Sequence, residues 1–218
     1  MKIVPALLSD KFDVFLSRLK QAELFADYIQ IDIMDGAFVP TRSFPIEDLK
    51  SLQSKVPFEL HLMVNNPRTY IEAVSDPNLR QVIFHFEAKV PDQLNLMQFL
   101  KQRSIKAGLA IKPDTNLEQF QKTAERADTI LFLTVDPGRY GSPYKPEVLK
   151  KIAKTRNLFP GKQIAVDGGV SLNNLNDFLR IGVDYVCVGS RIFLKGEPKE
   201  NYRQFVKKVD ELERKDTR

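Results

Sequence analysis

Two aspartates stand out as residues that could do chemistry. Asp167 closes the apolar run Ala165-Val166 and is followed by Gly168-Gly169-Val170 and then Ser171, a residue type that caps helices. Asp32 stands far upstream, in Ile31-Asp32-Ile33-Met34-Asp35-Gly36. A carboxylate at a strand end acts as general acid or base when a substrate proton is held against it. Glycines beside it let backbone N–H groups approach an anion, because no Cβ stands in the way. The combination points to an enzyme that moves a proton on a small phosphorylated molecule. With one carboxylate on each face of a carbon next to a carbonyl, that movement inverts a stereocentre.

The neighbours of the two acids extend this chemistry. A strand repeats every two residues, so Gln30 shares a side with Asp32, and His61 shares one with Met63. The only two histidines, His61 and His85, both fall at strand ends. His61, Asp32 and Asp167 could meet around one divalent ion (zinc, manganese, iron or cobalt) that stabilises an enediolate. Gln30 would take the fourth position, as a neutral and weaker ligand than an imidazole. A site without metal, where His61 only contacts substrate, stands beside that reading. His85 is expected to be a satisfied strand-end residue, and Asp35-Gly36 a turn. Three successive loops carry glycine: Gly138 and Gly141 in Asp136–Ser142, Gly168-Gly169, and Gly189-Ser190. Together they would ring a phosphate with backbone donors. Arg139 or Arg191 would add charge, and residues 138–143 would cover the ligand.

These residues need a scaffold that brings strand ends together. Short runs rich in Ile, Val, Leu and Phe alternate with helical spacing eight times, at Ile3–Leu7, Tyr28–Asp32, Phe58–Met63, Gln81–His85, Ala107–Ile111, Thr129–Val135, Gln163–Val166 and Tyr185–Val188. Between them, Phe12, Phe15, Leu16 and Leu19 share a face, as do Leu94, Met97, Phe99 and Leu100, and Val148, Leu149, Ile152 and Leu158. Eight such units predict an α/β fold, a (β/α)₈ TIM barrel, filling residues 1–218 as one domain. An open doubly wound sheet is the rival, since alternation does not fix closure. A last helix is expected over Glu200–Leu212, followed by a charged tail.

The totals agree with a small-molecule enzyme. The net charge of +5 suits an anionic ligand, but Lys and Arg are scattered among acids, which argues against a nucleic-acid face. No apolar run approaches a membrane span, and the first residues lack a signal-peptide pattern. The single cysteine, Cys187, excludes an internal disulfide and reads as a packed core residue; it fits a reducing, cytoplasmic setting. Association into a homo-oligomer is left open. Lys112, the nearest candidate for a Schiff-base lysine, precedes Pro113 in a loop, which disfavours an aldolase.

At these residues the sequence resembles the ribulose-phosphate 3-epimerase family along essentially its whole length. Ile31-Asp32-Ile33-Met34-Asp35-Gly36-Ala37-Phe38-Val39-Pro40 is similar to that family's V-D-V-M-D-G-x-F-V-P block. His61-Leu62-Met63 with Asn66-Pro67 resembles H-L-M…N-P, Thr134–Gly138 resembles T-V-N-P-G, and Val166–Val170 and Val188–Phe193 resemble V-D-G-G-V and the G-S-A-I-F block. The resemblance implies a TIM barrel of the ribulose-phosphate-binding type that interconverts D-ribulose 5-phosphate and D-xylulose 5-phosphate in the pentose phosphate pathway. It implies Asp32 and Asp167 as the acid/base pair, and Asp32, His61 and Asp167 as metal ligands. Met34 and Met63 would be soft side chains against the enediolate, and the glycine loops would be the phosphate seat. The chain departs from the pattern at four places. Gln30 replaces a histidine ligand, Ala6 a serine, Leu133 a methionine, and Gly138-Arg139-Tyr140-Gly141-Ser142 the G-F-G-G-Q lid. The alternative implied by these changes is a diverged barrel that binds a sugar phosphate with little or no turnover.

Overall fold

The eight strands close on themselves. In the computed structural model, which describes residues 1–138 and 141–216, they run parallel in sequence order. They are β1 (Lys2–Leu7), β2 (Ile29–Met34), β3 (Phe58–Met63), β4 (Leu79–His85), β5 (Lys106–Ile111), β6 (Thr129–Leu133), β7 (Gln163–Asp167) and β8 (Tyr185–Val188). Closure rests on the pairing of β1 with β8, from Lys2 opposite Tyr185 to Pro5 opposite Val188, which removes the open-sheet alternative. Helices α1 (Phe12–Ala22), α2 (Pro67–Ala73), α3 (Gln93–Gln102), α4 (Leu117–Ala124), α5 (Val148–Leu158), α6 (Leu175–Arg180), α7 (Ser190–Phe193) and α8 (Pro198–Asp216) follow the strands; after β2 only a 3₁₀ turn, Ile46–Ser51, takes that place. Arg139 and Tyr140, two of the expected loop residues, lie outside the described residues.

The helices bury one stripe each against the outside of the barrel. On α1, Phe15, Leu19 and Ala22 are buried, and the Phe15 and Phe12 rings lie 4.8 and 5.1 Å from that of Phe44. Two face assignments change. Asp92 caps α3 by accepting from the Asn95 N–H (2.9 Å), and this start turns Leu96, Met97 and Leu100 inward while Leu94 stays half exposed. Leu158, the last residue of α5, is likewise 42% exposed, because the chain turns away at Phe159. Ser171 does not cap α6. Its N–H donates to Asn174 Oδ1 (2.8 Å), Asn174 Nδ2 donates to the Gly169 carbonyl (3.0 Å), and the helix begins only after Asn174.

Inside the barrel, every second residue of each strand points to the axis. Small and branched residues fill much of it: Ala6, Ile83, Ala110, Leu131, Leu133 and Ala165. A polar layer lies among them. Glu59, wholly buried, accepts from Gln81 Nε2 (2.8 Å), the Tyr185 hydroxyl (3.0 Å) and the Tyr28 hydroxyl (3.3 Å), and Thr129 donates to Gln81 Oε1 (2.8 Å). Burial pushes the Glu59 carboxyl up to about 7, although the tyrosine hydrogen bonds and nearby His61 oppose the shift. Among the described residues no helix is long and apolar enough to cross a membrane.

Candidate active site at the mouth of the barrel

The period-two register delivers Gln30 and Asp32 on β2, His61 on β3 and Asp167 on β7 to one point inside the barrel; β2 runs on to Met34, so Gln30 and Asp32 lie within it and not at its end. Gln30 Nε2 donates to Asp32 Oδ1 (2.8 Å) and to Asp167 Oδ2 (3.0 Å). His61 Nδ1 lies 3.0 Å from the same Asp32 oxygen and 3.2 Å from the same Asp167 oxygen. Two nitrogens and two oxygens thus form a square, and each carboxylate keeps its second oxygen outside it. Burial, with the adjacent Asp167 charge, raises the Asp32 carboxyl to about 6, against the His61 and Gln30 hydrogen bonds. Burial disfavours the His61 imidazolium, but its bonds to Asp167 and Asp32 outweigh this and raise it to about 9.

A second histidine stands behind the first. His85 Nε2 lies 3.0 Å from His61 Nε2, and His85 Nδ1 lies 3.3 Å from Glu87 Oε2. Burial lowers His85 to about 4, so it is neutral near pH 7. Its Nδ1–H faces the Glu87 carboxylate, its bare Nε2 accepts from His61 Nε2–H, and His61 Nδ1 is thereby aimed at the acids. Burial disfavours ionised Glu87, but His85, Thr115 and the Lys112 N–H together hold its pKa down at about 2. The sequence reading gave His85 no partner. Glu87 lies past the end of β4, in the turn that follows, so strand spacing did not mark it as the partner.

Asp32 and Asp167 line the floor of a cavity of about 510 Å³. Gly138, Gly141, Gly168, Gly169, Gly189 and Ser190 also line it, with Arg191 and Lys195. Gly168 is a glycine of necessity. Its φ is +92°, and a Cβ there would stand 2.3 Å from Val135 Cγ2. Thr134 N–H donates to the Asp167 carbonyl (2.9 Å) and its hydroxyl to that of Gly168, which pins the turn that carries the acid. Met63 lines the cavity; Met34 is packed beside it against Val39 and does not reach the wall. His61 is fully buried beneath the acids. Ala6, Leu133 and Cys187 also face the cavity, and Cys187 Sγ donates to Gln30 Oε1 (3.0 Å).

Other polar residues from the sequence reading are drawn into structure. Asp35 accepts from the N–H groups of Ala37 (2.8 Å), Phe38 (2.7 Å) and Asn65 (2.7 Å), fixing the loop after β2. Asp136 pairs with Lys145 (2.6 Å). Lys112 follows β5 directly, but its Nζ lies 3.9 Å over the Phe38 ring, which itself stacks 4.7 Å from His85.

Asp32, His61 and Asp167 also bring three potential metal-ligand atoms within 4.8 Å of one another. The fourth neighbour, Gln30, presents a donor to this group, not a lone pair.

The chain is similar to known proteins over nearly all of its length. It is 30% identical over 215 residues to the cytoplasmic isoform of ribulose-phosphate 3-epimerase from Oryza sativa subsp. japonica, covering 96% of this chain and 94% of that one. It is 31% identical over 188 residues to ribulose-phosphate 3-epimerase from Eremothecium gossypii, covering 80% and 78%. Among solved structures, 3-hexulose-6-phosphate synthase from Salmonella typhimurium superposes with a TM-score of 0.71 at 17% identity, over 97% of this chain and 100% of that one, which speaks for the barrel alone. The model of the ribulose-phosphate 3 epimerase family matches residues 2–193, and the chain belongs to that family.

Proposed function

We propose that the protein inverts C3 of a ketose phosphate, interconverting D-ribulose 5-phosphate and D-xylulose 5-phosphate, with Asp32 and Asp167 as the proton-transfer pair. One observation carries the proposal. Two carboxylates from strands remote in sequence line one cavity together with the glycine turns. One carboxylate takes the C3 proton from its face of the sugar, and an enediolate forms. The other carboxylate, in its acid form, returns a proton from the opposite face. An Asp32 pKa near 6 suits both halves of that cycle at neutral pH, because the group can hold or release a proton at little cost. Gly168, Gly169, Gly189 and Ser190 would seat the phosphate, with Gly138 and Gly141 closing over it. Met63 and Leu133 give the enediolate an apolar wall, which strengthens the electrostatics around it. Asp32, His61 and Asp167 offer three ligand atoms to a divalent ion, which would supply positive charge to the enediolate, but Gln30 turns an N–H rather than a fourth ligand toward them.

The test is proton NMR of ribulose 5-phosphate in D₂O. The wild-type protein is expected to exchange the C3 proton for deuterium and to form xylulose 5-phosphate. Asp167→Asn should abolish both while still being stabilised thermally by the sugar phosphate. Exchange by Asp167→Asn at the wild-type rate would overturn the role given to Asp167.

A further inference from the structure

We infer that Gln30 takes the place of a metal ion in this chain: its amide NH₂ gives one hydrogen to each of the two reacting aspartates, and the pair is held for proton transfer without a divalent cation. The inference rests on the proton-transfer reading above and adds to it how the two acids are kept together.

The geometry is specific to a primary amide. A single atom, Gln30 Nε2, lies 2.8 Å from Asp32 Oδ1 and 3.0 Å from Asp167 Oδ2. Its two hydrogens let it give a separate hydrogen bond to each oxygen, whereas the single Nδ1–H of His61, 3.0 and 3.2 Å from the same two oxygens, has to be shared between them. An imidazole nitrogen at this position has at most one. The sense of the amide follows from its surroundings. Its Oε1 accepts from the Cys187 thiol at 3.0 Å, and Gln30 is 0% exposed, so water does not share in the arrangement. Turning the amide over to offer its oxygen to an ion would set that oxygen against two carboxylate oxygens. It would also set the NH₂ against a thiol, a weak acceptor, so that all three hydrogen bonds are lost together. Three ligand atoms remain for a cation, from Asp32, His61 and Asp167, and the fourth direction is closed by N–H. Mutual repulsion of two buried carboxylates is what a cation would relieve, and the amide already opposes it with two charge-assisted hydrogen bonds. Gln30 acts through the aspartates and is a positioning residue.

The experiment uses protein dialysed against EDTA, with residual metal measured by plasma mass spectrometry. C3-proton exchange is followed in D₂O, and zinc affinity by titration calorimetry, for the wild type, Gln30→His and Gln30→Leu. Metal-free wild type is expected to keep its kcat within about twofold of the zinc-supplemented value. It should bind zinc at least about tenfold more weakly than Gln30→His, which restores a fourth ligand. Gln30→His should lose exchange on chelation and recover it with zinc. Gln30→Leu should lose on the order of ten- to a hundredfold in metal-free kcat with KM little changed, because the aspartates lose their bridge while the phosphate seat is untouched. If Gln30→Leu shows no cooperative melt, the wild-type arms decide alone. Wild-type exchange that vanishes with EDTA and returns with zinc, or wild-type zinc affinity equal to that of Gln30→His, overturns the inference and leaves the epimerase reading standing. Absence of exchange with and without zinc overturns both.

Discussion

Replacement of Glu59 by glutamine should make the protein more stable, and only at neutral pH and above. Glu59 is completely buried, and its pKa rises from 4.5 to about 7 on folding. A group whose pKa rises on folding holds its proton more tightly in the native state. Its contribution is therefore full below pH 4.5 and is lost as pH climbs through 7. From these two values, the native state with Glu59 is weakened by about 1 kcal/mol at pH 5 and about 3 kcal/mol at pH 8, relative to its fully protonated form. Glutamine keeps the shape and does not ionise. Its oxygen can accept from Gln81 Nε2, and the Tyr185 or Tyr28 hydroxyl can turn to accept from its NH₂. A lost or bent hydrogen bond offsets about 1 kcal/mol of the gain, but equally at both pH values. The quantity to measure is the difference in urea-unfolding free energy between Glu59→Gln and wild type, at pH 5 and at pH 8. That difference should rise by about 2 kcal/mol between them. A difference that stays flat, or falls, would mean that Glu59 is not a protonated buried acid.

Two further substitutions test the loops that surround the acids. Gly168→Ala forces a Cβ to 2.3 Å from Val135 Cγ2 at a φ of +92°, and should lower stability by about 1–3 kcal/mol, read as a fall in Tm, and weaken thermal stabilisation by ribulose 5-phosphate; an unchanged melt would remove the steric case. Asp35→Ala leaves the N–H groups of Ala37, Phe38 and Asn65 without their acceptor, and should cost about 1–3 kcal/mol in denaturant unfolding, with Asp35→Asn recovering part; an unfolding free energy unchanged by Asp35→Ala would show that these bonds do not hold the loop.

The strands were legible because a strand buried on both faces is an apolar run, and chain order alone then fixes a barrel once β1 meets β8. β6 was read two residues too long for a local reason. Thr134 and Val135 continue the apolar run, but pairing with β7 ends at Leu133 opposite Asp167, and the Thr134 N–H bond to the Asp167 carbonyl is its last rung. The two acids, Gln30 and His61 were legible from period-two spacing along the strands. Glu59, Gln81 and Cys187 lay inside predicted strands too, yet nothing marked them as neighbours. Their partners lie on other strands, and contact among them exists only after closure. Leu94 and Leu158 were misplaced because helical spacing fixes a stripe but not the residue at which the stripe ends.

The acids and the glycine turns that line the cavity are held by separate parts of the chain. From below comes a buried polar column, from Thr129 through Gln81, Glu59 and Tyr185, with Cys187 and Gln30 leading to the carboxylates. From behind comes the Glu87–His85–His61 series, with Glu87 itself held by the Lys112 N–H (2.9 Å) and Thr115. Every member of both series sits on a strand or within four residues of a strand's end, where the ladder fixes it to fractions of an ångström. Among the described residues, the glycine turns shape the cavity, and the Thr134–Gly168 contact ties them to the turn that carries Asp167. Changes confined to Gly138–Ser142 should therefore alter which sugar phosphate is held and how tightly. Changes at Gln30, Cys187 or His85 should alter the rate of proton transfer on whatever is held.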